Sequence, residues 1–298
     1  MWRIGRRGFK AHRGSSLKMI HMSKWRQRQV KSVERRQNRV VSRFSRELAL
    51  VMESIVDSVW EHYEKTNHFA LPSGNKMFNV TEEFYRQVII SAVESSQYTL
   101  KLQDGKKRLS KLPVGIPKVV TNIDQIFRDT RYWPKIIRRS KILTDKLRKE
   151  YFGKLKKQFN VIVPLLLRGD VTPKQAKDKM KDVLKATKPR VETIFRTETT
   201  NYFTKTQTAF FEDDEDIIGF MFDAVRDSSN TSICRARHGL IYRPKTKLLK
   251  ENSPALHYNC RSHLIPIANT VQNRKLLSDP SRDPSKKSVP PLPKGWRK

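Results

Sequence analysis

The 298 residues carry 62 Lys and Arg against 29 Asp and Glu, a formal net charge of +33. A chain of this length can form one or two domains with true cores, and it holds no run of ~18 apolar residues, so no membrane span is expected. Two cysteines exclude a disulfide scaffold and fit a reducing compartment. The charge favours a polyanion, most simply nucleic acid gripped through its phosphates without sequence reading.

The start, M-W-R-I-G-R-R-G-F-K, superficially matches a twin-arginine export signal, but no apolar stretch follows, so that reading is rejected. Residues 1–26 read as a basic arm. From about residue 28 to 63 there is neither Pro nor Gly, and apolar residues recur at steps of three and four, which predicts one long amphipathic helix. Residues 1–50 hold 15 Lys/Arg against 2 acids, whereas residues 51–100 hold 3 against 7. The first half of this helix therefore suits DNA. The second half, with the stripe Ile55, Val59 and Tyr63, suits protein, either a partner or the next helix. Leu71-Pro72-Ser73-Gly74-Asn75 reads as a turn, and Thr81 as the cap of a helix running to about residue 100.

Residues 104–121 read as a basic loop, followed by a basic helical segment from 122 to about 163 with a break near Pro134. Residues 101–190 hold 26 Lys/Arg against 8 acids. Thr172-Pro173-Lys174-Gln175 is a capping box with Pro in the first turn. Its helix is expected to reach about residue 186, to stop at Pro189, and to give way to another over 191–211. Strands are expected at 217–225, near 239–243 and near 263–267. The tail after Asn269 has five prolines and no periodicity, and reads as extended. The fold class is α+β: an elongated, mainly helical region (27–190), a small α+β domain (191–270) and a basic, Pro-rich tail (271–298).

The stretch from 226 to 267 holds both cysteines, Cys234 and Cys260, and three of the seven histidines, His238, His257 and His263. The wider region 191–270 balances at 10 Lys/Arg against 10 acids, unlike the regions around it. Ahead of the 226–267 stretch lie Arg196-Thr197-Glu198 on a helix and an aromatic strand. Within it come Asp227, Thr231-Ser232, Cys234, His238-Gly239, Pro254, His257, Cys260-Arg261 and Pro266. In that order these residues resemble the phage head morphogenesis family, the Mu protein F-like minor head proteins, over about residues 165–270. The resemblance implies a structural protein of a tailed-phage head, associated with the portal protein inside the capsid. It implies contact with the major capsid or scaffolding protein and with packaged double-stranded DNA. Assembly would take place in the host cytoplasm, with a role in packaging or ejection. Many family members carry a further Cys where this chain has Arg237, and another where it has Ser262, so a four-cysteine site is not on offer.

The spacings C-x3-H (Cys234, His238) and H-x2-C (His257, Cys260) bring each pair within chelating reach and would suit a Cys2His2 zinc site. Buried thiols with ordinary histidine hydrogen bonds, or a disulfide, are the alternatives. Arg196, Glu198, Asp227 and Arg261 could form an acid–base site, but read better as an ion-pair network joining helix to loop. No catalytic residue is assigned. There is no H-E-x-x-H motif, P-loop or dinucleotide fingerprint. Trp2, Trp25 and Trp133 are scattered, so phosphate contact is preferred to base stacking. The alternative function is a nucleic-acid-cleaving enzyme, such as a toxin-like nuclease, built on the His and charged residues of the signature. A third is a free condensing protein with no particle role.

Overall fold

The computed structural model describes residues 24–104, 133–211, 213–225, 227–294 and 296. The arm over 1–23, the loop over 105–121 and the segment over 122–132 lie outside the described residues. Among the described residues four long helices come first: α1 (Lys24–Thr66), α2 (Asn75–Asp104), α3 (Trp133–Leu167) and α4 (Pro173–Phe210). Helix α1 packs on α2 and α4, α2 on α3 and α4, and α3 on α4, so the four form a bundle.

The periodicity of α1 is the reason it can join this bundle. Val33, Val40, Phe44, Leu48, Ile55, Val59 and Tyr63 all fall on its buried face. The stripe of its second half packs within the chain: Tyr63 meets Phe159 of α3 edge-on, with ring centroids 5.1 Å apart. Beside it, Asp57 pairs with Lys177 at 2.9 Å and Lys181 at 3.3 Å on α4, which lowers the pKa of its carboxyl. Phe84 of α2 sits between Phe44 (5.7 Å) and Phe195 (4.6 Å), joining three helices through their rings.

Two helix-boundary expectations differ from the structure, at Thr81 and Pro189, while the break expected near Pro134 coincides with the start of α3 at Trp133. Thr81 does not cap α2, which starts at Asn75; it is fully buried, its hydroxyl 2.7 Å from that of Thr144 on α3. A cap residue and a buried interhelical hydroxyl look alike in sequence. Pro134 lies in the first turn of α3, where its missing N–H costs no helical bond. Pro189 does not end a helix: α4 runs through it as 38 residues. Proline's fixed φ suits a helix, and only one ladder bond is forgone, at the exposed turn of Lys185. Ala176 and Met180 before it and Ile194 and Phe195 after it are buried in the same core, which outweighs that cost. The capping box forms as expected, with Thr172 and Gln175 bonded reciprocally at 3.2 and 2.8 Å.

Helix α4 thus passes through residue 190 and delivers its last turns to a small α+β unit. This unit has β1 (Ile217–Asp223), α5 (Ser232–Arg237), β2 (Ile241–Tyr242), α6 (Lys247–Asn252), β3 (His263–Ala268) and α7 (Val271–Leu277). The sheet has order β2-β1-β3 and is antiparallel throughout. The α+β class is therefore observed, with helices first and the sheet late in the chain.

The tail is not simply extended. It forms α7 and two 3-10 turns, Pro280–Arg282 and Pro284–Lys286, each capped by an aspartate. Arg282 is buried and donates to the Gly239 carbonyl at 3.1 Å. Trp296 donates to the Ala255 carbonyl at 3.3 Å. No periodicity announced this, because single side chains and caps hold the tail in place. Among the described residues no helix is long and apolar enough to cross a membrane.

Candidate functional site

The signature is organised from both sides of one turn, residues 257–260. On one side, α4 holds the turn by two threonines. Thr197 accepts from the Asn259 N–H at 2.9 Å, and Thr200 donates to the Cys260 carbonyl at 2.7 Å. Asn259 has φ +57°, a left-handed conformation that Asn tolerates better than most residues. On the other side, Thr231 caps α5 by accepting from the Cys234 N–H at 3.3 Å. The same hydroxyl lies 3.0 Å from His257 Nε2.

These supports bring three soft donors together. Cys234 Sγ is 3.0 Å from His257 Nε2 and 3.8 Å from Cys260 Sγ, and both cysteines are free thiols. Cys234, His257 and Cys260 each offer a ligand atom within 4.8 Å of the others. His257 Nδ1 faces the Tyr258 carbonyl at 2.8 Å; a carbonyl only accepts, so Nδ1 carries the proton and Nε2 keeps its lone pair toward the thiols. Cys260 is the more acidic thiol, lowered by hydrogen bonding from Cys234 and then by His257, while Cys234 is pushed up by the same contact. The His257 pKa is raised, first by its hydrogen bond with Cys260.

His238 does not join them, so the expected Cys2His2 set is not assembled. It ends α5, and its Nδ1 accepts from the Ala224 N–H at 3.1 Å and lies 3.5 Å from Asp223. A spacing of four residues places two side chains on one helix face only while the helix lasts. Helix α5 stops at Arg237. Gly239 follows with φ +81°, a conformation that glycine adopts without strain, and donates to the Phe222 carbonyl at 2.8 Å. Ser232 is exposed in the first turn of α5. Arg237 is buried and reaches Asn252 at 2.8 Å and the Pro290 carbonyl at 3.1 Å, so it ties α5 to α6 and the tail.

Three of the four charged residues form two separate contacts rather than one site, and the fourth joins neither. Arg261 grips Asp227 with two bonds of 2.7 Å, holding that carboxyl below its ordinary pKa. Glu198 turns into the bundle, accepting from the Tyr85 hydroxyl at 2.9 Å with Arg139 at 4.0 Å. Arg196 joins neither pair and lines a cavity with His263. His263 is buried, and burial pushes its pKa down to about 4. The role of Thr200 was missed in the sequence. Its only signal is the spacing of three from Thr197, which sets two hydroxyls on one helix face.

The fold and site define a helical bundle that presents a small thiol–imidazole α+β unit, with the Arg261–Asp227 pair pinning its loops. Residues 161–265, about a third of the chain, match the family model described as Phage Mu protein F like protein, so this part of the chain is similar to the Mu F-like proteins. No curated protein and no solved structure gives a match.

Proposed function

We propose that this chain is a minor head protein of a tailed phage, bound at the portal inside the capsid and touching packaged double-stranded DNA. The match over residues 161–265 carries the head assignment. The charge supports the DNA contact. Residues 133–190, which make up α3 and the first half of α4, hold 18 Lys/Arg against 5 acids. Lys149, Lys156, Lys157, Lys179 and Lys188 are among the exposed ones. Scattered lysines on helix surfaces suit phosphates and not base edges.

The measurement is binding to duplexes of unrelated sequence at several salt concentrations. The affinities should agree between sequences, and log affinity should fall linearly with log salt. Replacing Lys149, Lys156 and Lys157 by Gln should flatten that slope by roughly 0.9 for each phosphate that is no longer neutralised. The duplex should remain intact with divalent metal present. Sequence preference, a flat salt response or cleavage would each oppose this reading.

The thiol–imidazole cluster supports a structural zinc ion. The edge of a tetrahedron built on zinc–sulfur bonds of ~2.3 Å is ~3.8 Å, and Cys234 Sγ and Cys260 Sγ are 3.8 Å apart. His257 presents the lone pair a metal needs, and its other nitrogen is fixed by the Tyr258 carbonyl, as in protein zinc sites. Cys234, His257 and Cys260 would hold the ion, and a water would complete the set in place of His238. Zinc there would lock α5 to the turn over 257–260.

A further inference from the structure

A second feature lies beside the cluster, between α1, α4 and the start of β3. It is a cavity of about 220 Å³ whose walls include Gln37, Arg196, Thr199 and His263. That is room for many waters, each needing ~10–15 Å³ by this measure. Three of its side chains are nine-tenths or more buried and have polar atoms without a partner: Gln37 Nε2, the Thr199 hydroxyl, and both nitrogens of His263. Buried polar groups are normally satisfied, so a cluster of three around one space calls for an occupant.

Charge narrows the class. Two arginines and one carboxylate line the space, Arg196, Arg261 and Glu34. Arg261 is answered by Asp227 in the two-bond pair and is also attracted by Glu34. Arg196 has no ion pair with any described residue, so its charge stays unanswered on a wall that offers mainly donors. Water would satisfy the hydrogen bonds and hydrate the half-buried guanidinium, whereas an anion would also give it a counter-charge.

We infer that this cavity binds a phosphoryl oxyanion, with Arg196 as its counter-charge and Gln37, Thr199 and His263 as hydrogen-bonding partners. A guanidinium offers a fork of donors that matches two phosphoryl oxygens at once. This gives Arg196 of the signature a task that neither charged pair gives it, and it does not depend on the head or zinc readings. The phosphoryl group comes either from free phosphate or from DNA.

The test titrates the full chain with sodium phosphate by calorimetry, and follows the His263 imidazole resonances by NMR. Saturable binding and a progressive shift of His263 are expected. Arg196→Gln should weaken binding at least about tenfold, while Lys76→Gln, on the exposed side of α2, should not. If Arg196→Gln does not fold, the His263 shift in the unaltered chain still decides. Short duplexes with and without a 5′-phosphate, added as competitors, separate the sources. Displacement by both points to backbone phosphate, displacement by the phosphorylated one alone points to a DNA end, and no displacement points to free phosphate. The inference is overturned if phosphate gives no saturable heat and leaves His263 unmoved, or if Arg196→Gln folds and binds as well as the parent.

Discussion

The three donors of the cluster sit on two segments 23 or more residues apart in sequence, and their geometry makes a sharper claim than their spacing did. Zinc content should be about one atom per chain. Cys260→Ser should lower it substantially, whereas His238→Ala should leave it unchanged, because His238 is occupied at the end of β1. Metal-free protein of equal stability would remove zinc, and a fall in metal content in His238→Ala would restore the four-residue set read from the sequence. His263 gives a second, independent handle. Its pKa in the folded chain, about 4, lies below the ordinary value of 6.5. Between those values the unfolded chain binds a proton that the folded chain does not, so stability falls as the pH drops from about 6.5 toward 4. A shift of this size is worth up to about 3 kcal/mol. The raised pKa of His257 acts with opposite sign and above this window, because its stabilising contribution is lost as pH rises. Melting temperatures at stepped pH should therefore fall more steeply for the parent than for His263→Leu between 6.5 and 4.5. Parallel curves would mean that His263 is hydrated in the folded chain.

At the scale of elements, patterns that repeat were legible in the sequence and features that occur once were not. The apolar steps of α1 and the box at Thr172 each combine several residues that agree, and both formed. The strands were readable from their β-branched and aromatic content. Thr81, Pro189 and the tail rest on single residues whose meaning depends on what packs against them. The site divides in the same way: the two cysteines and His257 were found by type and spacing, but His238 was misplaced because a helix end lies between it and Cys234. The claim at this scale is that the stripe on α1 is core. Val59 is fully buried, so Val59→Asp should put an unpaired carboxylate into the bundle and cost several kcal/mol. Circular dichroism should show a chain that melts far earlier or fails to fold. A variant that keeps the parent's stability would mean that the stripe faces a partner and that the bundle is packed otherwise.

Across the whole molecule, charge and chemistry are kept apart. The basic excess lies on α3, the first half of α4, the arm and the tail, while residues 191–270 balance at 10 Lys/Arg against 10 acids and are held by pairs, caps and the tail. That separation suits a protein that meets DNA with one part and protein with another, and residues 161–265 span the join. Placement in the particle is the most direct test of this division. Purified DNA-filled heads, treated with a lysine-reactive cross-linker and digested for mass spectrometry, should contain this chain. Its peptides should be joined to those of the portal protein, and the lysines of α3 should become more reactive once the DNA is ejected. Heads that lack the chain altogether, or that carry it cross-linked only to outer-surface proteins, would contradict a place inside the capsid at the portal.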